Sequence, residues 1–380
     1  MYESSHSTKE SAVSSSPLHH VSELGQSVWI DFLSREFVDS GELDRMIDED
    51  ALVGLTSNPS IFQKAIASGD AYDDQFRELL ETTDDIKEIF VQLAARDVSA
   101  ACAVLRRVWD EGSGRDGYVS LEVDPRLAYD AEATFREAMR LHDLVDEPNL
   151  LVKIPGTKPG LAAIEDVIFK GRSINVTLIF SLGRYAEVAE SYVRGLERLI
   201  AAGGDPSKVA SVASFFVSRV DTEVDRLLDE IGGHDQLKGG LAIANAKLAY
   251  EHYQQVFSGE RWEFLASKGA TPQRCLWAST SVKSPDYRDT MYVEELIGPE
   301  TVNTMPSETI EAFQDHGRVD ATLERDVEGA RRLFDQLAAA GIDYDDVTEV
   351  LEREGVQKFA ESFDELIGGL EAKRGALVAA

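Results

Sequence analysis

Residues 150–180, LLVKIPGTKPGLAAIEDVIFKGRSINVTLIF, hold two apolar runs of strand length, LLVKIP (150–155) and INVTLIF (174–180), with a helical pattern between them. Working outward, the same alternation recurs. VWIDFL (28–33), ALVGLTS (51–57) and GYVSLEV (117–123) come before, and ASVASFF (210–216), RCLWAST (274–280) and ETVNTMP (300–306) come after. Helical patterns such as YDAEATFREAMRLHDLV (129–145) separate them; another, SLGRYAEVAESYVRGLERLIAAGG, ends in a Gly pair suited to a C-cap. Eight strand-helix units over about 290 residues predict an α/β fold, a closed parallel (β/α)₈ TIM barrel. A doubly wound open sheet is the alternative. Residues 59–112 exceed the minimal unit by two or three helices, and residues 308–372 add an acidic amphipathic appendage whose apolar positions are expected to pack on the barrel.

Composition narrows the function. The 380 residues carry 69 acidic and 38 basic side chains, a net charge of −31, which disfavours binding to nucleic acid or an anionic membrane. Cys102 and Cys275 cannot by themselves build a disulfide framework or a four-ligand zinc site, so a reducing compartment is expected. Residues 1–20 contain seven serines and no continuous apolar stretch, and no run of about 18 apolar residues occurs anywhere. The expectation is a disordered tail over 1–20, then a single barrel domain with a C-terminal helical appendage over 21–380, in the cytoplasm. Asn175-Val176-Thr177 matches a glycosylation acceptor only by accident, since it lies within an apolar run.

Strands buried in a parallel sheet read as aliphatic runs, so polar residues inside them need a reason. Asp31 interrupts the first run, Glu122 the third and Lys153 the fourth; Asn175 and Thr177 lie in the fifth, Ser214 in the sixth, and Ser279 to Lys283 follow the seventh. Side chains near the C-terminal ends of barrel strands converge on one mouth, where such folds build active sites. Lys153 is the sharpest of these features, because an unpaired ammonium within a strand is costly to desolvate. A neutral amine there would attack ketones to give a Schiff base, with Glu122 and Asp31 as the strand carboxyls available for proton transfer. The competing reading is an ion pair of Lys153 with Glu122 or Asp31, or carboxylates paired with Arg126 and Arg35. Ser214 and Arg219, in SFFVSRVD (214–221), and Lys283, in STSVK (279–283), offer hydroxyls and cations to a phosphate, or are ordinary loop polarity.

Other motifs lead nowhere. GSGRDG (112–117) matches G-x-G-x-x-G but precedes a strand, the wrong context for a dinucleotide. The seven histidines lack zincin spacing, and there is no G-x-S-x-G elbow or P-loop.

Taken together, GLTSNPSIFQKAI (54–66), VSLEVDPRLAYD (119–130), LLVKIPGT (150–157), GRSINVTLIFS (171–181), SFFVSRVD (214–221), LWASTSVKSPDY (276–287) and ETVNTMPSETI (300–310) resemble transaldolase of the pentose phosphate pathway, in its longer bacterial subfamily. The resemblance spans residues 25 to 316 in order. It implies that Lys153 is the Schiff-base lysine, that Glu122 works through a water held by Thr177, and that Asp31 exchanges the C4 hydroxyl proton. It further implies that Asn58 and Asn175 bind the dihydroxyacetone unit and that Ser214 and Arg219 anchor the phosphate. The small-subunit bacterial members carry arginine where Lys283 aligns; lysine supplies charge as a point donor without the bidentate fork. The implied activity is reversible transfer of dihydroxyacetone from sedoheptulose 7-phosphate to glyceraldehyde 3-phosphate, giving erythrose 4-phosphate and fructose 6-phosphate. No metal or organic cofactor is implied, the partners are sugar phosphates, and a monomer or homodimer is expected. The rivals are an aldolase that releases free dihydroxyacetone and a catalytically silent sugar-phosphate-binding barrel.

Overall fold

The computed structural model describes residues 16–67 and 69–379. Eight parallel strands run β1 (Gln26–Asp31), β2 (Leu52–Thr56), β3 (Tyr118–Glu122), β4 (Leu150–Pro155), β5 (Ile174–Ile179), β6 (Ser211–Phe216), β7 (Arg274–Ala278) and β8 (Thr301–Met305). Each pairs with the next, and β1 returns to β8 through Gln26↔Thr301 and Trp29↔Thr304, so the sheet is a closed barrel and not the open alternative. Every strand lies where the apolar runs place one.

The interior is layered because strand side chains alternate with period two. On β1, Ser27, Trp29 and Asp31 share one face. At the N-terminal end, Ser27 Oγ accepts from Arg274 at 2.8 Å and donates to Asp116 at 2.8 Å, which plugs the barrel floor. In the next layer Trp29 is fully buried, and it fits because Gly54 opposite has no Cβ: one would stand 2.4 Å from the indole ring. Asp31 then emerges at the C-terminal mouth.

Three helices, Pro59–Ala67, Asp73–Leu80 and Ile86–Glu111, fill the insertion after β2, and three more, Ser307–His316, Val327–Ala339 and Tyr344–Ala379, follow β8. Buried Arg35 bonds Asp97 at 2.9 Å, and Arg126 bonds Asp124 at 2.7 Å. The two arginines that could have neutralised Asp31 and Glu122 are therefore engaged elsewhere. Among the described residues, no helix is long and apolar enough to cross a membrane.

The expected disordered tail is corrected at its end. Pro17–Glu23 is a helix that buries Leu18 and Val21, with Pro17 in the first turn and the Ser16 hydroxyl accepting from Leu18 N–H. Tertiary burial of two apolar side chains outweighs the serine-rich composition there. Residues 1–15 lie outside the described residues.

Candidate active site

The register of three neighbouring strands assembles the centre. Glu122 on β3 pairs with Lys153 on β4, and Lys153 with Asn175 on β5, so these side chains are lateral neighbours on the inner wall. Lys153 is 5% exposed; its Nζ donates to the Ser57 carbonyl at 3.0 Å and stands 3.4 Å from Glu122 Oε2. The ion pair offered by the structural reading is thus present, with its cation facing a cleft.

Both strand carboxyls hold a proton more tightly than a free carboxyl does. Burial pushes the Glu122 carboxyl above its ordinary range, opposed by the Lys153 cation and reinforced by the Asp31 charge. Asp31 is also pushed up by burial, against the Lys153 cation and the Thr56 hydroxyl, which donates to its Oδ1 at 2.6 Å. Neither Glu122 oxygen, nor the buried Thr177 hydroxyl, has a hydrogen-bond partner among the described residues. Polar oxygens without a hydrogen bond beside a buried amine suit a site that hands protons to a bound molecule.

A cleft of about 220 Å³ opens over these groups and is lined by Asp31, Asn58, Lys153, Thr177, Ser214, Arg219 and Lys283. Of the expected site residues, only Glu122 and Asn175 are absent from its lining. Glu122 reaches it through Lys153. Asn175 lies behind it, donating to Ser120 Oγ at 3.1 Å and accepting from Ser214 Oγ at 2.6 Å. Asn58 is shared: its Oδ1 accepts from Ile61 N–H at 3.1 Å, while Nδ2 lies 3.5 Å from Asp31 Oδ2.

The cationic end of the cleft is built differently. Arg219, in the first turn of the helix Ser218–Ile231, has its Cζ 5.1 Å from the Phe216 ring and no ion-pair or hydrogen-bond partner among the described residues. Burial lowers its proton affinity, with Glu354 opposing. Lys283 is exposed, its Nζ donating to Ser281 Oγ at 2.7 Å. A half-buried guanidinium with no ion-pair or hydrogen-bond partner among the described residues is equipped to receive a phosphate.

Two residues beyond Arg219, Asp221 braces this end: its oxygens accept from Ala242 N–H at 2.7 Å and from Tyr292 OH at 2.9 Å, and burial pushes its carboxyl up to about 7. Its folded pKa is raised, so the stability it contributes is full below about 4 and is lost as pH rises through 7. Asp221→Asn, which keeps an acceptor, is expected to gain on the parent by about 1.4 kcal/mol per pH unit within that window. Urea unfolding at pH 5 and 6.5 measures this, and a pH-independent difference would refute it.

Sequence reasoning did not single out Thr56, Thr304 and Phe359, which also line the cleft. Thr56 and Thr304 share a 2.7 Å hydroxyl contact behind Asp31, and both lie in strand runs, where a β-branched threonine carries no distinguishing signal. Phe359 corrects the reading of the C-terminal appendage as packing alone: it reaches the cleft from a helix whose apolar spacing looked like any other.

Comparison with known proteins agrees with this arrangement. The family described as "Transaldolase/Fructose-6-phosphate aldolase" matches residues 28–370. A transaldolase of Frankia alni is 52% identical over 364 residues, covering 95% of this chain and 98% of that protein. One from Mycolicibacterium paratuberculosis is 52% identical over 351 residues, 91% of this chain and 94% of its own, and one from Saccharopolyspora erythraea is 50% identical over 354, with 93% and 96% covered. With a closed barrel, a buried lysine between two carboxyls at its mouth, and a family match over most of its length, the chain belongs to the transaldolase/fructose-6-phosphate aldolase family.

Proposed function

We propose that the protein is a transaldolase that moves dihydroxyacetone between sugar phosphates through a Schiff base on Lys153. The observation that carries the reading is the placement of Lys153 Nζ, 3.4 Å from Glu122 Oε2 and facing a cleft that Asp31 also lines. Lys153, its proton passed to Glu122, attacks the C2 carbonyl of sedoheptulose 7-phosphate or fructose 6-phosphate. Glu122 returns a proton as the carbinolamine loses water and becomes an iminium, the Thr177 hydroxyl in the cleft lining being free to hold that water. Asp31 takes the C4 hydroxyl proton, the C3–C4 bond breaks, and its electrons flow toward the iminium nitrogen. An aldose phosphate leaves and a three-carbon enamine stays on Lys153. Addition of the enamine carbon to the aldehyde of glyceraldehyde 3-phosphate or erythrose 4-phosphate reverses these steps.

Borohydride reduction after mixing with fructose 6-phosphate, followed by peptide mapping, tests the reading. A three-carbon adduct on Lys153 is expected; absence of any adduct in a protein that binds the sugar would favour the silent binding barrel.

At the phosphate end, Arg219 and Lys283 are expected to differ. Arg219→Ala removes charge-assisted bonds from a half-buried position and should raise KM for the ketose phosphate by about 10- to 100-fold. Lys283→Ala removes an exposed point charge and should raise it by no more than about fivefold. Steady-state kinetics at fixed ionic strength separates them, and an unchanged KM in either variant removes that residue from the anchor.

A further inference from the structure

The helix Tyr344–Ala379 is a strap across the mouth of the barrel. On one side, Glu352 bonds Arg184 at 3.0 Å, and Gly355 lies so close to β5 that a Cβ would stand 3.1 Å from Leu178 and 3.3 Å from Phe180. A glycine inside a helix is unfavourable relative to alanine, and here it permits that approach. Leu178 itself has φ 60°, at an irregularity in the β5–β6 register beside Thr177. On the other side, Ser362 bonds Ser60 at 3.0 Å, and Phe363 meets Phe90 edge-on at 5.6 Å.

Phe359 lies between these anchors, one turn from Gly355 and one turn from Phe363, on the same face as both. Val356, Phe363, Leu366 and Leu370 are buried on that helix as well, yet none of them lines the cleft. The Phe359 ring centre is 5.9 Å from Lys153 Nζ and 5.9 Å from Arg219 Cζ, and 6.3 Å from the Phe216 ring centre in an edge-type contact. An apolar ring set against two cations keeps water from the space between them, which is where the chain joining a ketose carbonyl to its phosphate would run.

We propose that Phe359 determines what becomes of the three-carbon intermediate: by covering Lys153 it withholds water, so that the intermediate waits for an aldehyde acceptor and is not released as free dihydroxyacetone. This rests on the Schiff-base reading above. In the suppressed reaction, the enamine carbon takes a proton from Asp31, which gained it from the C4 hydroxyl, and becomes an iminium. A solvent water adds to the C2 carbon of that iminium, losing a proton to Glu122. The hydroxyl of the resulting carbinolamine gives up its proton as the C2–O double bond forms, the carbon-nitrogen bond breaks with its electrons and a proton going to the Lys153 nitrogen, and dihydroxyacetone departs. The water taken up equals the water lost when the iminium first formed, so fructose 6-phosphate is converted to dihydroxyacetone and glyceraldehyde 3-phosphate.

The test compares two rates in the full-length protein supplied with fructose 6-phosphate: dihydroxyacetone release without an acceptor, and sedoheptulose 7-phosphate formation with erythrose 4-phosphate. In Phe359→Ala the ratio of release to transfer is expected to rise about tenfold, as the loss of a pocket-filling apolar group admits water. Phe359→Leu keeps more of the bulk, should show a smaller rise, and reads the same ratio if the alanine variant does not fold. Leu370→Ala, three turns along the same helix and away from the cleft, should leave the ratio at the parental value. An unchanged ratio in a folded Phe359 variant, or an equal rise in Leu370→Ala, overturns the proposal. Borohydride trapping distinguishes the two levels of failure. No adduct in the parent defeats the Schiff-base reading itself; an adduct on Lys153 in parent and variants with unchanged ratios defeats only the role of Phe359.

Discussion

Lys153→Ala is expected to lose transfer activity by at least about four orders of magnitude, the scale of loss when a covalent nucleophile is removed. Borohydride should then leave no adduct with fructose 6-phosphate. Alanine also removes the cation that opposes protonation of Glu122 and Asp31, so a loss of activity by itself would not separate nucleophile from ion-pair partner. Lys153→Arg makes that separation. A guanidinium keeps a positive charge beside Glu122, but it stays protonated and forms no imine. If Lys153 is the nucleophile, the arginine variant should be as inactive as the alanine variant while unfolding closer to the parent. Retention of transfer by Lys153→Arg would establish the lysine as a structural bridge.

The second large effect belongs to Asp31. Asp31→Asn should slow turnover by about 10²- to 10⁴-fold, the range typical of a positioned general base. Imine formation does not require this carboxylate, so Lys153 should still be labelled. The adduct should change in mass: with cleavage blocked, the intact six-carbon ketose phosphate is reduced onto the lysine where the parent yields a three-carbon unit. A three-carbon adduct forming at the parental rate would sink the assignment. The pH profile gives a second readout. Asp31 must be ionised to accept the C4 proton, and burial raises its pKa, so parental turnover should climb as pH rises through that elevated value. That limb should vanish in the variant.

Stability is expected to move the other way. A carboxyl whose folded pKa is raised loses its stabilising contribution as pH rises from its unfolded to its folded value. An amide at position 31 escapes that loss and can still accept from Thr56, so Asp31→Asn should be at least as stable as the parent at neutral pH. Activity and stability would then be opposed at one residue, as is common where a site holds a charge at a desolvated position.

Polar interruptions were legible wherever a strand's own pattern made them improbable. Asp31, Glu122 and Lys153 each break an aliphatic run, and the structure places each at the mouth or beside it. The contributions that escaped notice are of a different kind. The Ser57 group that receives Lys153 Nζ is a backbone carbonyl, which any residue type would supply. Thr56 and Thr304 suit strands intrinsically, so neither seemed out of place. Phe359 belongs to a helical apolar stripe that looks the same whether it faces a core or a substrate.

The same division holds for the whole molecule. The order of eight apolar runs and the intervening helical periods determined a parallel α/β chain, because both signals are local and each element carries its own. Which residues meet was decided by closure of the barrel. Pairing of β1 with β8, and the register that sets Glu122, Lys153 and Asn175 side by side, depend on contacts between segments far apart in the chain. The helix at Pro17–Glu23 and the position of Phe359 over the cleft depend on such contacts as well. Local pattern specifies which face of an element is apolar; only the packed structure specifies what that face meets.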